Sequence, residues 1–403
     1  LRPLPALLIV CVIDVLGFGI VIPLVPYMAA DFGASPALNT PILGVYSLCQ
    51  LIAAPLWGRL SDRWGRRPIL VTSMAGACGS YVLLALAHNV PMLFLSRALA
   101  GFMAGNLAAA MAYASDVSSS ADRSRAMGAV GAAIGVGFML GPAIGGALAG
   151  NHVQSANFVR PAVLSASLSV LAMLLVLFML PESHPPAQRR AHADSPRIHA
   201  WAQLRALPGL RWIALTALLV TFSTSTLESI FAIWAMNRYH VGPFTVGMAL
   251  LVIAIVAVGV QGGLMRRLAP RFGERKLAGA GILSLVAGLV AVALGGAIPI
   301  VILGLVLCGL GAGLYNPNGS ALASHEARAH NRGAVMGTYQ SATSSARVLA
   351  PFISGPVYQR FGPSAPYLLA ALVTLQALWC MLALPGADAA MASAADDERR
   401  GGA

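Results

Sequence analysis

Charge is scarce in this sequence, and negative charge scarcer still: Asp and Glu number 14 in 403 residues, against 26 Lys and Arg. A soluble domain covers itself with both signs of charge. A chain that is 10% charged, 58% hydrophobic and +0.76 in mean hydropathy lacks the residues for a water-facing surface. Cysteine is sparse as well. Cys11, Cys49, Cys78, Cys308 and Cys380 are odd in number and sit in apolar runs, which argues against a disulfide framework. The histidines fall in loops or at the ends of apolar runs, with no pair at ligand spacing, so no metal is expected. No Gly-x-x-x-x-Gly-Lys-Ser/Thr loop is present to cradle a nucleotide, and the Gly-x-Gly patterns lie inside apolar runs, where they report packing. No nucleophile and base stand together, so neither catalysis nor a cofactor is expected.

What the chain has in quantity is long apolar runs. A bilayer core takes about 20 helical residues to cross, and twelve runs qualify, near 6–28, 41–60, 69–88, 91–113, 127–149, 160–180, 212–236, 245–263, 277–296, 298–322, 334–357 and 364–385. The first is too long for a signal-peptide core and lacks a cleavage site, so it reads as a membrane helix. The expected partner is therefore a lipid bilayer. The net charge of +12 is not a nucleic-acid patch, because the charges sort by loop. Arg160, Arg238 and Arg360 fall in one set of loops and Arg97 and Arg347 within spans, while every other Lys and Arg lies in the alternate loops or the termini. Basic loops resist translocation, so this asymmetry places both termini in the cytoplasm.

The second half repeats the first. Gly65 matches Gly273, Asp122-Arg123…Met127-Gly128 matches Asn331-Arg332…Met336-Gly337, and Gly141-Pro142 matches Ala350-Pro351, at offsets of 208, 209 and 209. The expected fold is an all-α membrane protein of twelve transmembrane helices in two pseudo-symmetric six-helix bundles. Its domains are a bundle over 1–180, a Pro- and Arg-rich linker over 181–211, a second bundle over 212–385 and a tail over 386–403. Residues 198–207 of the linker read equally as an amphipathic surface segment or a solvated tether.

Four ionisable residues lie deep in spans: Asp14, Arg97, Glu228 and Arg347. Each costs roughly 2.5–3.5 kcal/mol at the centre of a membrane helix on insertion scales, so each is a functional candidate. Asp14 is too deep to reach water with a short side chain. It can carry a proton in a cavity that changes sides, or form a structural pair with Arg97. Arg97 can tune that acid or snorkel outward. Glu228 follows the hydroxyl run Thr221, Ser223, Thr224, Ser225, Thr226 and precedes Phe231 and Trp234, a pattern that fits a cavity wall for an amphipathic substrate or an interfacial acid with a belt tryptophan. Arg347 can couple to Glu228 or be fixed to it as a salt bridge. Asn106, Tyr315, Asn316 and Asn318 add polar groups at membrane depth that need partners.

One loop stands out. Gly58-Arg-Leu-Ser-Asp62-Arg63-Trp-Gly65-Arg66-Arg67-Pro68 combines turn-forming glycines, an acid able to meet a neighbouring helix N-terminus, and arginines. It reads as an anchor and a conformational latch. In residue type and spacing it resembles the signature loop between helices 2 and 3 of major facilitator superfamily transporters. Arg97 with Gly101 and Gly105 is similar to that family's helix 4 motif, associated with proton transfer. Gly137-x-x-x-Gly141-Pro142-x-x-Gly145-Gly146 is similar to its helix 5 antiporter motif, a packing face for close helix contact. The stretches around Asp14 and 114–125 resemble bacterial tetracycline efflux proteins. Those carry acids in helices 3 and 9 where this chain has Ser80 and, approximately, Leu285.

The resemblance implies a proton-coupled exporter of small amphipathic compounds in a bacterial inner membrane, acting as a monomer by alternating access. Asp14 and Glu228 would carry protons with Arg97 and Arg347 as partners, and Gly58, Asp62, Arg63, Gly65, Arg66 and Arg67 would form the latch. A proton-coupled symporter of a sugar or organic anion, with the two arginines binding carboxylate, is the alternative.

Overall fold

The computed structural model describes residues 3–119, 122–183, 207–327 and 331–383. The linker from 184 to 206, which includes most of the proposed amphipathic segment, and the tail beyond 383 lie outside the described residues, as do the side chains of Asn106, Ser124, Pro208 and Arg332.

Twelve helical rods account for the described chain. They are α1 (Pro3–Val21, continuing as Val25–Asp31), α2 (Pro36–Trp64), α3 (Arg66–Ala85), α4 (Val90–Met103, continuing as Asn106–Asp116), α5 (Arg123–Ala149), α6 (Val159–Met179), α7 (Pro208–Tyr239), α8 (Pro243–Gly259, a π-helical turn Val260–Leu264, then Met265–Phe272), α9 (Glu274–Leu294), α10 (Ile298–His325), α11 (Arg332–Phe361) and α12 (Ala365–Leu382). Eleven are long and apolar enough to cross a membrane. The exception, α11, is long enough but rich in hydroxyls, and Ser341, Thr343 and Ser345 turn theirs back onto the carbonyls of Gly337, Gln340 and Ser341.

The breaks have local causes. Pro23 and Pro26 have no N–H to continue the ladder of α1, and Ile22 and Leu24 fall back on Gly19 and Val21 carbonyls instead. At the break in α4, Trp57 Nε1 donates to Phe102 O at 2.6 Å and Gln50 Nε2 to Ala104 O at 3.4 Å, so α2 satisfies the carbonyls that the break releases.

Packing repeats with the sequence. Within the first half α1 packs on α5 and α6, α3 on α4 and α6, and α2 on α4. Six helices on, α7 packs on α11 and α12, α9 on α10 and α12, and α8 on α10. The matched glycines behave alike. Gly65 (φ 106°) and Gly273 (φ 75°) end α2 and α8 in backbone conformations that side chains strain against. Beyond them Arg67 donates to Leu177 O at the end of α6, and Arg275 donates to Leu382 O at the end of α12. The repeat thus extends from glycine positions to individual hydrogen bonds.

The halves meet chiefly along α2–α11 and α5–α8, a symmetric exchange. These contacts lie at the end away from the arginine-rich loops. Thr40 Oγ1 donates to Pro351 O at 2.6 Å, Ala37 N to Gln359 Oε1 at 3.1 Å, Phe244 N to Gly150 O at 3.2 Å and Tyr27 Oη to Val241 O at 2.8 Å. A methyl added to Gly146, Gly242, Gly247 or Gly355 would overlap the other half. At the basic end of the same four helices, a methyl added to Gly58, Gly128, Gly131, Gly259, Gly262, Gly333 or Gly337 would meet nothing within 4 Å. The halves therefore touch at one end and part toward the other.

Candidate functional site

Between the halves lies a cavity of about 500 Å³, and Asp14, Arg97, Glu228 and Arg347 all line it. Four residues from four helices and both halves converge there. Tyr46 of α2 lies within electrostatic reach of Asp14, Tyr81, Arg97 and Arg347. Glu228 lies within reach of Arg347, yet no ion pair closes between them. Both are exposed to the cavity instead of being locked together, which answers the expectation of a fixed bridge. Arg97 does not snorkel. It is 2% exposed, its guanidinium sits 5.8 Å from the Tyr81 ring centre, and its Nε and Nη2 have no hydrogen-bond acceptor. Unmet donors on a buried cation are costly, so this arginine is held where an incoming negative group would relieve it. Glycines bring it there. Side chains at Gly101 or Gly105 would collide with Tyr46 O or with the Trp57 ring, so α4 approaches α2 as only glycine allows.

On α7 the cavity face runs Thr221, Thr224, Ser225, Glu228, the i, i+3, i+4, i+7 stripe of one helix side. Phe231, three residues past Glu228, and Trp234 lie beyond the cavity lining. At 3% and 2% exposed they belong to the core of the second half, where Trp234 packs against Phe231, Tyr239 and Tyr367 with ring centres 5.5–5.9 Å apart. Their expected place on the substrate wall is corrected accordingly. On α10 Asn316 reaches the cavity, together with Cys308 and Ala312. Tyr315 is buried in the core, and Asn318 turns to Leu314 O at 2.6 Å, so neither is a wall residue. The side chain of Asn106 is outside the described residues.

The glycines of α5 divide their work. Gly137, Gly141 and Gly145 press on α1 at Val15, Gly19 and Ile20, while Gly146 and Pro142 meet Pro243 and Gly247 of the other half. Ser80 is buried, with its hydroxyl on Ala77 O, and Leu285 is fully buried in the second core. The two positions at which the resemblance would place acids thus present none to the cavity.

At the basic end of the first half, Arg66 is the hub. Its Nη1 meets Asp62 Oδ1 at 2.5 Å and Ser61 Oγ at 3.1 Å, and its Nε meets Asp116 Oδ2 at 3.2 Å. Glu182 accepts from the N–H groups of Arg66 and Arg67 at 2.8 and 3.2 Å, capping α3 with a carboxylate. All these bonds stay within one half, so Asp62 does not hold the N-terminus of a helix across the mouth in this state. In the second half Glu274 Oε2 meets His325 Nε2 at 2.9 Å. Beside it Glu326 is pressed against Gly209, and burial raises its carboxyl above the usual range.

Sequence reasoning missed Phe18, Tyr46, Phe138, Gln50 and Gln261, all on the cavity wall. The only signal for the two phenylalanines was their place beside Gly19 and Gly137, the glycines of the α1–α5 contact.

Two pseudo-symmetric bundles around one central cavity, open at one end, are the architecture of a membrane transporter. The profile of the Major Facilitator Superfamily matches residues 7–351 and 262–403, and the chain belongs to that superfamily as a multi-pass membrane protein. It is 28% identical over 368 residues to the class B tetracycline resistance protein of Escherichia coli, covering 88% of each chain. It is 30% identical over 286 residues to the class E protein of the same species, covering 69% of this chain and 68% of that one. Among solved structures, the human organic anion transporter MFSD10 (TETRAN) aligns over 94% of this chain and 99% of its own at 24% identity and a TM-score of 0.70. The nucleoside transporter NupG aligns over 95% and 100% at 13% identity and 0.77.

Proposed function

We propose that this transporter exports small amphipathic compounds in exchange for protons. The basic end and both termini face the cytoplasm of a bacterial inner membrane, so the structure is inward-open. The observation that carries this reading is the convergence of Asp14 and Glu228, with Arg97 and Arg347, on one cavity that both halves share. A carboxylate there is protonated from one side and released to the other as the cavity changes sides, and the nearby arginine decides when it lets go. The similarity to tetracycline resistance proteins supports export, while Ser80 and Leu285 argue for a cargo other than a metal chelate of tetracycline.

The test is transport in proteoliposomes under an imposed pH gradient. Asp14→Asn and Glu228→Gln are expected to abolish gradient-driven accumulation, with Asp14→Asn retaining part of the cargo exchange at zero gradient. An unimpaired response to the gradient removes that acid from the mechanism. A second reading, carriage of an organic anion, is favoured by the unmet donors of Arg97 and by the likeness to MFSD10. Uptake of organic acids by wild type, lost in Arg97→Gln but indifferent to Asp14→Asn, would select it.

A further inference from the structure

The acids and arginines account for the charged part of the cavity and leave its aromatic part without a role. Phe18 of α1 stacks on Tyr46 of α2 with ring centres 4.4 Å apart and planes 27° apart. Phe138 of α5 meets Phe18 edge to face at 5.6 Å and 81°. The glycine contact sets this arrangement. Gly19 and Gly137 pack α1 against α5 backbone to backbone, and each phenylalanine is the immediate neighbour of one of these glycines. The three rings therefore form a fixed cluster on a rigid interface.

Phe138 is 40% exposed, and it lines the cavity. A large ring held against water inside a transporter leaves apolar surface unburied, at a cost of about 25 cal/mol for each Å². The other half offers the complement. Thr221, Thr224, Ser225 and Asn316 present hydroxyl and amide groups to the same space. The first half supplies the aromatic rings, and α7 with Asn316 supplies hydrogen-bonding groups across from them.

We infer that Phe138, backed by Phe18 and Tyr46, is a stacking platform for a planar aromatic part of the cargo, whose polar edge meets the hydroxyl row of α7. The cargo class is a planar, ring-containing amphiphile, not an aliphatic one. This rests on the export reading above and adds the specificity-determining residue to it. Phe138 is a specificity residue because it selects by shape and π-face, leaving the proton step to the acids.

Equilibrium binding to the full chain in nanodiscs tests it with probes matched in charge. The pairs are ethidium against decyltrimethylammonium and naphthalene-2-sulfonate against octane-1-sulfonate. Wild type should bind the aromatic member of at least one pair about tenfold more tightly than the alkyl member, the size of a single stacking contact. Phe138→Leu should erase that preference by weakening aromatic binding far more than alkyl binding, and Phe138→Tyr should keep it. No aromatic preference in wild type, or one that survives Phe138→Leu, overturns the platform. Retained alkyl binding in Phe138→Leu shows that the variant is folded, and the Tyr variant repeats the comparison with the ring restored. Gradient-driven transport of the same probes separates the two claims: transport without aromatic preference refutes the platform alone, and preference without gradient-driven transport refutes the export reading alone.

Discussion

Gly101 shows how little room a transporter leaves at its working centre. It lies one helical turn from Arg97, and a methyl there would strike the backbone carbonyl of Tyr46. Gly79 on α3 has open space around it. Alanine is the better helix former by roughly 1 kcal/mol, so Gly79→Ala should be neutral or slightly stabilising. Gly101→Ala must instead push α2 from α4, and overpacking of this kind costs about 1–3 kcal/mol. Thermal unfolding in detergent should show the contrast, and cargo affinity should fall with Gly101→Ala because Arg97 and Tyr46 move together. Equal effects at the two sites would mean that the α2–α4 contact yields freely. The same closeness explains why Arg97 was ambiguous from sequence. Its distance from the helix end permits snorkelling, and only the packing of Gly101 and Gly105 on α2 turns it inward.

At the scale of elements, what a single helix encodes was legible and what several helices assemble was not. Eleven spans follow from hydropathy, and the twelfth, read from sequence as an apolar run over 334–357, is α11, whose hydroxyls dilute it. The breaks in α1 and α4 and the π-helical turn of α8 had glycine and proline as their only signal, and membrane helices carry both for many reasons. Along α7, Glu228, Phe231 and Trp234 looked like one wall because they are close in sequence. At about 100° per residue Trp234 turns away from Glu228, while Phe231 stays on the same side but one turn nearer the closed end, where both rings enter the core. The Phe18, Tyr46 and Phe138 cluster draws on three helices, so no window of sequence contains it. The arginine loop was legible as a basic turn, but its partners were not. Here Asp62 is held by Arg66, a hub shared with Asp116 and with the loop's own Ser61. We expect that on closure Asp62 exchanges part of this pairing for a helix N-terminus across the mouth. Asp62→Asn should then slow turnover severalfold while leaving cargo affinity nearly unchanged, as measured by transport rates beside equilibrium binding. Equal losses in both would make the loop an anchor and nothing more.

At the scale of the whole molecule, two helix pairs must do two jobs. α5 and α8 run antiparallel and touch where Pro142 meets Gly247 and Gly146 meets Pro243. Extending that register toward the basic end places Gly131 opposite Val258 and Gly128 opposite Gln261. Both glycines are open now, and Val258 and Gln261 are exposed. Small residues let helix backbones approach closely in lipid, where packing replaces the hydrophobic effect as the source of adhesion. The open glycines thus serve as the second contact of a rocking pair whose first contact is closed. The fold itself supplies the counterpart, since the α2–α11 pair carries open Gly58, Gly333 and Gly337 at the same end. A cysteine pair at Asn151 and Thr245, whose side chains already bond at 2.8 Å, should cross-link in the resting protein and arrest transport with the cavity open at the basic end. A pair at Gly131 and Val258 should cross-link only during turnover, and then block cargo from entering at that end. If the second pair closed as readily at rest as the first, both ends would be shut together, and the two ends would not alternate.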